Sequence, residues 1–311
     1  MDYYFWARQA GRWYRIVGVI DRGGFGDVYQ CSIVSEFGLL SQSHVAVKVL
    51  REVGDTENLR RFWREVSTQR RLRHPNLLSV LDFNLHHDPP YFVMPLMKET
   101  LARRLAKMGA VNQVFRAKPA LEQVILPLSL AVGYLHSNGI YHRDIKPANI
   151  FFDFHGVAKL GDLGICHPNF PLHPTLTWAG IGTRGYTAPE TLQRGIASAQ
   201  SDIYSMGIVF GEMITGRILP LWWWQDQANW PSTQHPRSCH TAVNQLLVNM
   251  THPDPASRYP SVSELVRDIK TVARGYLPSM PAYQPQAPQL ASPGLMRLLA
   301  MAMSERPRPR G

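Results

Sequence analysis

The sequence predicts an α+β protein in two lobes, a small β-rich lobe with one main helix followed by a larger helical lobe. Three observations carry that expectation. Up to about Met97 the apolar residues alternate in short runs, interrupted by one helical pattern, whereas from Leu101 onward helical patterns dominate. The chain has 311 residues, long for a single core and suited to two. Apolar residues make up 45% and charged residues 18%, the balance of a globular chain rather than a disordered one.

Composition also narrows the function classes. The formal charge of +10 suits an anionic partner, but it is dispersed and no basic run is sustained, so no nucleic-acid partner is expected. Cys31, Cys166 and Cys239 are too far apart for a CxxC metal or redox motif, and an odd count argues against a disulfide framework. Met1–Trp6 is aromatic and acidic, unlike a signal peptide. No stretch reaches the roughly 18 apolar residues of a membrane span. The nearest, Leu295–Met303, contains Arg297. The expectation is a soluble, cytoplasmic protein with no membrane span.

Residues 1–12 read as an N-terminal extension. From Trp13 to Gln30, alternation breaks at Gly23, Gly24 and Gly26 and resumes at Val28, which reads as strand, glycine turn, strand. Glycines let backbone amides approach an anion closely. A hairpin without a ligand explains the same residues. His44–Leu50 is a strand in which Lys48 sits among apolar neighbours, and a lysine so placed needs a partner. A helix capped at Asp55 or Thr56 follows, with Leu59, Phe62, Trp63, Val66 and Leu72 at helical spacing. Glu65 borders its apolar face and can reach inward to Lys48. His74-Pro75-Asn76 should end the helix, with strands at Leu77–Phe83 and Tyr91–Met97 to complete the first lobe at 13–97.

The second lobe is expected at 98–275. A long apolar helix over about Leu121–His136 contains Pro127, which should kink it or mark a late start. The loop that follows, Tyr141-His-Arg-Asp-Ile-Lys-Pro-Ala-Asn-Ile150, carries Asp144, Lys146 and Asn149 between apolar runs. Pro147 excludes a continuous helix there and biases Lys146 to an extended backbone. A base, a cation and an oxygen-bearing ligand aimed at one point suit transfer of a charged phosphoryl group. A polar surface loop is the plainer alternative. Val157–Leu160 reads as a strand, followed by Gly161-Asp162-Leu163-Gly164. Residues 167–186 lack hydrophobic periodicity and read as a functional loop. Asp202–Ile214 is apolar nearly all round, the mark of a buried helix. Trp222-Trp-Trp224 is either locally packed or a docking surface for a partner. From 276 the proline-rich composition reads as a flexible tail, with partner docking as its other reading.

Taken together and in this order, these motifs resemble a eukaryotic-type (Hanks-type) serine/threonine protein kinase, of the kind found in bacteria, over roughly Trp13 to Gly275. The resemblance implies the bilobal protein-kinase-like fold, ATP as phosphoryl donor, magnesium (or manganese) as cofactor and protein substrates. Gly23, Gly24, Phe25 and Gly26 are similar to the glycine-rich loop over the phosphates. Ile20, Val28, Ala46 and Phe151 match the residues around adenine, Met94 the gatekeeper, and Pro95 to Met97 the hinge. Lys48, fixed by Glu65, matches the lysine on the α- and β-phosphates. Asp144 resembles the catalytic base and Lys146 the cation on the γ-phosphate. Asn149 and Asp162 resemble the two metal ligands. Lys146-Pro-Ala-Asn149 has the serine/threonine form of the loop. Thr183 resembles the threonine that bonds base and lysine. Glu190 and Arg258 resemble a buried pair, and Asp202 the anchor of the catalytic loop. Arg143 implies control by phosphorylation of the loop that follows, for which Thr175 and Thr177 are the candidates.

Two residues depart from the family pattern. Asp21 stands where the first loop glycine usually sits, which places a negative charge near the phosphates. Gln69 occupies a position normally apolar, in a stack with Val80, Leu163 and His142. They motivate the alternative of a pseudokinase scaffold that binds nucleotide weakly. A small-molecule phosphotransferase is disfavoured by Gly182-Thr183, Ala188-Pro-Glu190 and Arg258.

Overall fold

The computed structural model describes residues 4–7, 12–23, 26–34, 40–51, 56–163, 185–195, 197–219 and 237–281. Strands β1 (Tyr4–Ala7), β2 (Arg12–Gly23), β3 (Gly26–Val34), β4 (Leu40–Val49), β5 (Asp82–Asn84) and β6 (Tyr91–Pro95) form an antiparallel sheet in the order β1-β2-β3-β4-β6-β5. Period-two alternation assigns its faces. Val45, Val47 and Val49 pack with Phe5, Tyr14, Cys31, Tyr91 and Val93 on one side. Ala46, Lys48 and Leu50 turn to the other, where Phe62 and Val66 of α1 (Thr56–Gln69) meet Leu50, Val80 and Phe92. The two edges of the sheet converge, because Tyr14 Oη on β2 donates to Asp82 Oδ2 on β5 at 3.1 Å. Cys31 lies inside the curl, where burial pushes its thiol up to about 12.

Several expectations for this lobe need correction. The N-terminal extension contains an added edge strand, because Phe5 finds a buried site between Tyr29 and Tyr91. Helix α1 ends at Gln69, not beyond Leu72, and Trp63 is 38% exposed against His86. The expected strand 77–83 is replaced by a crossing segment. Leu160 donates to Asn76 and Leu78 to Leu160, both at 2.8 Å, while Leu81 donates to Val93 of the first sheet. Its backbone partners lie in two different sheets, so only 82–84 forms a strand.

Lys98 donates to Phe152 at 2.8 Å and begins the second sheet, β7 (Glu99–Thr100), β8 (Ile150–Phe152) and β9 (Ala158–Leu160). The helices described around it are α2 (Leu101–Gly109), α3 (Ala117–Ala120), α4 (Leu126–Ser137), α5 (Pro189–Arg194), α6 (Ala199–Thr215), α7 (Arg237–Thr251) and α8 (Val262–Ala273). Pro127 falls in the first turn of α4, where its missing N–H costs nothing, and a π-helical turn at Leu121–Ile125 joins α4 to α3. The predicted long helix is therefore three joined pieces with a late α start. Helix α6 is buried along nearly its whole length and opens with a capping box between Ser198 and Ser201. Gly207 permits its contact with α7, since a Cβ there would stand 2.5 Å from Thr251 Cγ2.

The segment after α8 is held where a flexible tail was expected. Asp268 accepts from Tyr259 Oη, from the Ser279 amide and hydroxyl and from the Met280 amide, while Gln245 and Asn249 bond the Met280 carbonyl. Trp222–Trp224 and residues 282–311 lie outside the described residues.

Candidate active site

A cleft of about 410 Å³ opens between the two sheets. Its roof comes from Ile20 and Val28, flanking the glycine turn, with Ala46 on β4. Gly23 faces Gly26 across the hairpin, and Gly24 and Phe25 lie outside the described residues. Only glycine fits at position 26, because a Cβ there would stand 2.3 Å from the Val49 carbonyl oxygen. Met94 and Met97 line the back, Phe151 the floor. Pro95 pairs with Val45 at the end of β6.

Lys48 reaches the cleft because β-alternation turns it from the valine face towards α1. Its ammonium donates to both oxygens of Glu65 at 2.8 and 2.9 Å and stands 3.8 Å from Asp162 Oδ1. Burial works against the charge on Lys48, but Glu65 and Asp162 outweigh it and hold its pKa above the ordinary lysine value. Burial pushes the Glu65 carboxyl up, and Lys48 offsets part of that.

At the foot of the cleft the loop 141–150 forms one hydrogen-bonded unit. Lys146 Nζ lies 2.7 Å from Asp144 Oδ2, and the Asn149 amide nitrogen donates to the same oxygen at 3.0 Å and to the Asp144 carbonyl at 2.9 Å. Asn149 can reach back because Pro147–Asn149 turns as a short 3₁₀ helix, consistent with a proline that starts a turn and cannot continue a helix. His142 Nδ1 accepts from the Asp144 amide, so its proton sits on Nε2, which donates to the Gly161 carbonyl at 3.1 Å. Gly161 in turn donates to the Asn149 carbonyl at 3.0 Å. Asp162 is thereby registered against the loop. A Cβ on Gly161 would meet the Phe151 ring at 2.8 Å.

Arg143 and Asp162 both take left-handed backbone conformations, with φ of 69° and 63°. Such residues cost roughly 1–3 kcal/mol each and persist only where their surroundings impose them. For Arg143 the cause is Asp202, buried at the start of α6. Its carboxylate accepts the amides of His142 and Arg143 at 2.9 Å each and meets His136 Nε2 at 2.8 Å.

A second buried ion pair lies in the larger lobe. The Arg258 side chain is fully buried and uses all five N–H donors, two on Glu190 and one each on the carbonyls of His252, Gln200 and Pro253. Thr175, Thr177 and Thr183 lie outside the described residues.

The two residues that depart from the family pattern are both at the cleft. Asp21 is exposed, and its carboxylate accepts the Arg22 amide at 2.9 Å. Gln69 is buried and donates to the Leu78 carbonyl, tying α1 to the crossing segment. Sequence reasoning did not single out Arg103, which also lines the cleft. Nothing in the local pattern of α2 marks it, because its partner is on the other lobe.

The protein kinase domain family matches residues 14–269. A serine/threonine-protein kinase PrkC of Bacillus subtilis is 34% identical over 275 residues, covering 85% of this chain and 41% of the relative. A probable serine/threonine-protein kinase PknB of Lactococcus lactis is 29% identical over 269 residues, 83% of this chain and 42% of that protein. A receptor kinase of Arabidopsis thaliana with a lectin domain is 35% identical over 208 residues, 65% of this chain and 30% of its own length. The chain thus spans well under half the length of these relatives. Among the described residues no helix is long and apolar enough to cross a membrane. With the two-lobed fold and the match over most of its length, the chain belongs to the protein kinase family.

Proposed function

We propose that the chain is a serine/threonine protein kinase that transfers the γ-phosphoryl group of ATP to hydroxyls of protein substrates. The observation that carries this is a single unit of Asp144, Lys146 and Asn149 at the foot of the cleft, facing the Lys48–Glu65–Asp162 cluster. In this reading Ile20, Val28, Ala46 and Phe151 enclose adenine, and Met94 to Met97 border it. Lys48, held by Glu65, binds the α- and β-phosphates. Asp144 orients the substrate hydroxyl and takes its proton as the hydroxyl oxygen bonds to the γ-phosphorus and the bond to the bridging oxygen of ADP breaks. Lys146, already paired to Asp144, balances charge on the moving phosphoryl group.

The donor set suits magnesium. Asn149 commits its NH₂ to Asp144, which presents the amide oxygen as the remaining ligand atom, and the Asp162 side chain is 43% exposed at the cleft. When bound, the ion supplies positive charge against the phosphate oxygens. Residues 13–97 form the nucleotide lobe and 98–275 the catalytic lobe in this assignment. Arg143, Thr175, Thr177 and Thr183 make the regulatory loop, and the chain acts in cytoplasmic signalling.

The test is incubation with labelled ATP, magnesium and a generic protein acceptor. The expected result is label on serine or threonine, absent in Asp144→Asn. An unaltered protein that labels neither itself nor the acceptor overturns the proposal.

A further inference from the structure

We infer that Arg103 is a positioning residue that latches the roof of the nucleotide cleft to its floor and slows nucleotide release. The inference rests on the nucleotide reading of the cleft and adds a residue to it. On β2 the pairing register slips between Val19 and Asp21. Val19 faces Tyr29 and Asp21 faces Val28, so Ile20 is the extra residue of a bulge. A bulged residue stands outside the ladder, and its backbone groups need other partners. Arg103 Nη2, from the larger lobe, donates to the Ile20 carbonyl at 3.1 Å.

The base of Arg103 is fixed. Its amide donates to Thr100 Oγ1 at 3.2 Å, the N-cap of α2, and Thr100 pairs with Phe151 across β7 and β8. A continuous path therefore runs from the floor at Phe151, through Thr100 and Arg103, to the roof at Ile20. Both ends of the bridge, Ile20 and Arg103, line the same cleft as Lys48 and Glu65. Asp21, the next residue, also lines the cleft but turns its carboxylate to the Arg22 amide at 2.9 Å. One solvent-facing hydrogen bond contributes little to folding. In the nucleotide reading it bears on release, because it joins the two surfaces between which the nucleotide would lie.

The experiment follows dissociation of a fluorescent ADP analogue with magnesium by stopped flow, in the unaltered protein, R103A, R103K and the control K118A, an exposed cation of the same lobe. R103A is expected to release the analogue about fivefold faster, the factor one such hydrogen bond is worth, with R103K between it and the unaltered protein. Phosphoryl transfer in a single turnover at saturating ATP should be unchanged, as should the thermal midpoint, whereas the KM for ATP rises. An unchanged release rate in R103A overturns the latch alone, and an equal acceleration in K118A overturns it as a general charge effect. Failure of the unaltered protein to bind the analogue overturns the nucleotide reading and the latch with it.

Discussion

Two buried ion pairs, Lys48–Glu65 in the small lobe and Arg258–Glu190 in the large one, have nearly equal contact distances of 2.8 and 2.7 Å and differ in what they leave over. Arg258 has every donor engaged and no exposed surface. Lys48 lies in a cleft wall, bound to one carboxylate and within reach of a second at 3.8 Å. A charge with all its hydrogen-bonding capacity met inside the protein can only hold structure. A charge at a cleft, kept protonated by two acids, retains attraction for an anion. Satisfaction rather than burial separates a pair that can only hold structure from one that can still attract an anion.

That contrast can be broken experimentally. The largest effect should come from Lys48→Met, which is expected to lower single-turnover phosphoryl transfer about 10²–10³-fold, the cost of one electrostatic contact to the transition state. In the double variant Lys48→Met, Glu65→Leu, which leaves no carboxylate buried without its cation, the thermal midpoint should move little. A collapse of stability in this variant would erase the distinction. Arg258→Ala should do the reverse, with a loss of roughly 3–5 kcal/mol in denaturant unfolding from the unpaired Glu190 and the orphaned carbonyls. Arg258→Lys should recover only part, since an ammonium cannot reproduce the planar fork.

Asp268 extends the comparison to pH. Burial pushes its carboxyl up, but the Ser279, Met280 and Tyr259 donors more than offset this and leave its pKa below the ordinary aspartate value. The stabilisation is therefore present above about pH 4 and fades as pH falls through the native pKa. Asp268→Asn should be about 2 kcal/mol less stable at pH 7, and its deficit should close as acid protonates Asp268 in the unaltered protein. A deficit independent of pH would show that the hydrogen bonds, not the charge, hold residues 279–280. The smallest effect is expected for Gln69→Leu. It removes a buried amide oxygen that has no partner among the described residues, but it orphans the Leu78 carbonyl, so stability should change by no more than about 1 kcal/mol.

Much of the site was legible in the chain. Lys48 stands out because a lysine in an apolar strand needs an acid, and helical spacing put Glu65 within reach. Asp144, Lys146 and Asn149 stand out because Pro147 forces an irregular loop that gathers them. Segments whose partners are remote in sequence were not legible. Leu77–Phe83 alternates like a strand, yet two sheets share its backbone. Tyr276–Pro281 has the composition of a tail, yet Asp268 on α8 captures it. Tyr4–Ala7 becomes a strand because the curled sheet leaves a buried site for Phe5.

The sequence by itself determined the order of chemical groups and the period of each element, since both depend on neighbours within a few residues. Only the tertiary structure decided which charges are satisfied, which face of the cleft each group meets, and that Arg103 bridges the lobes to Ile20. Those outcomes depend on distances between segments some 80 residues apart, which local spacing does not encode.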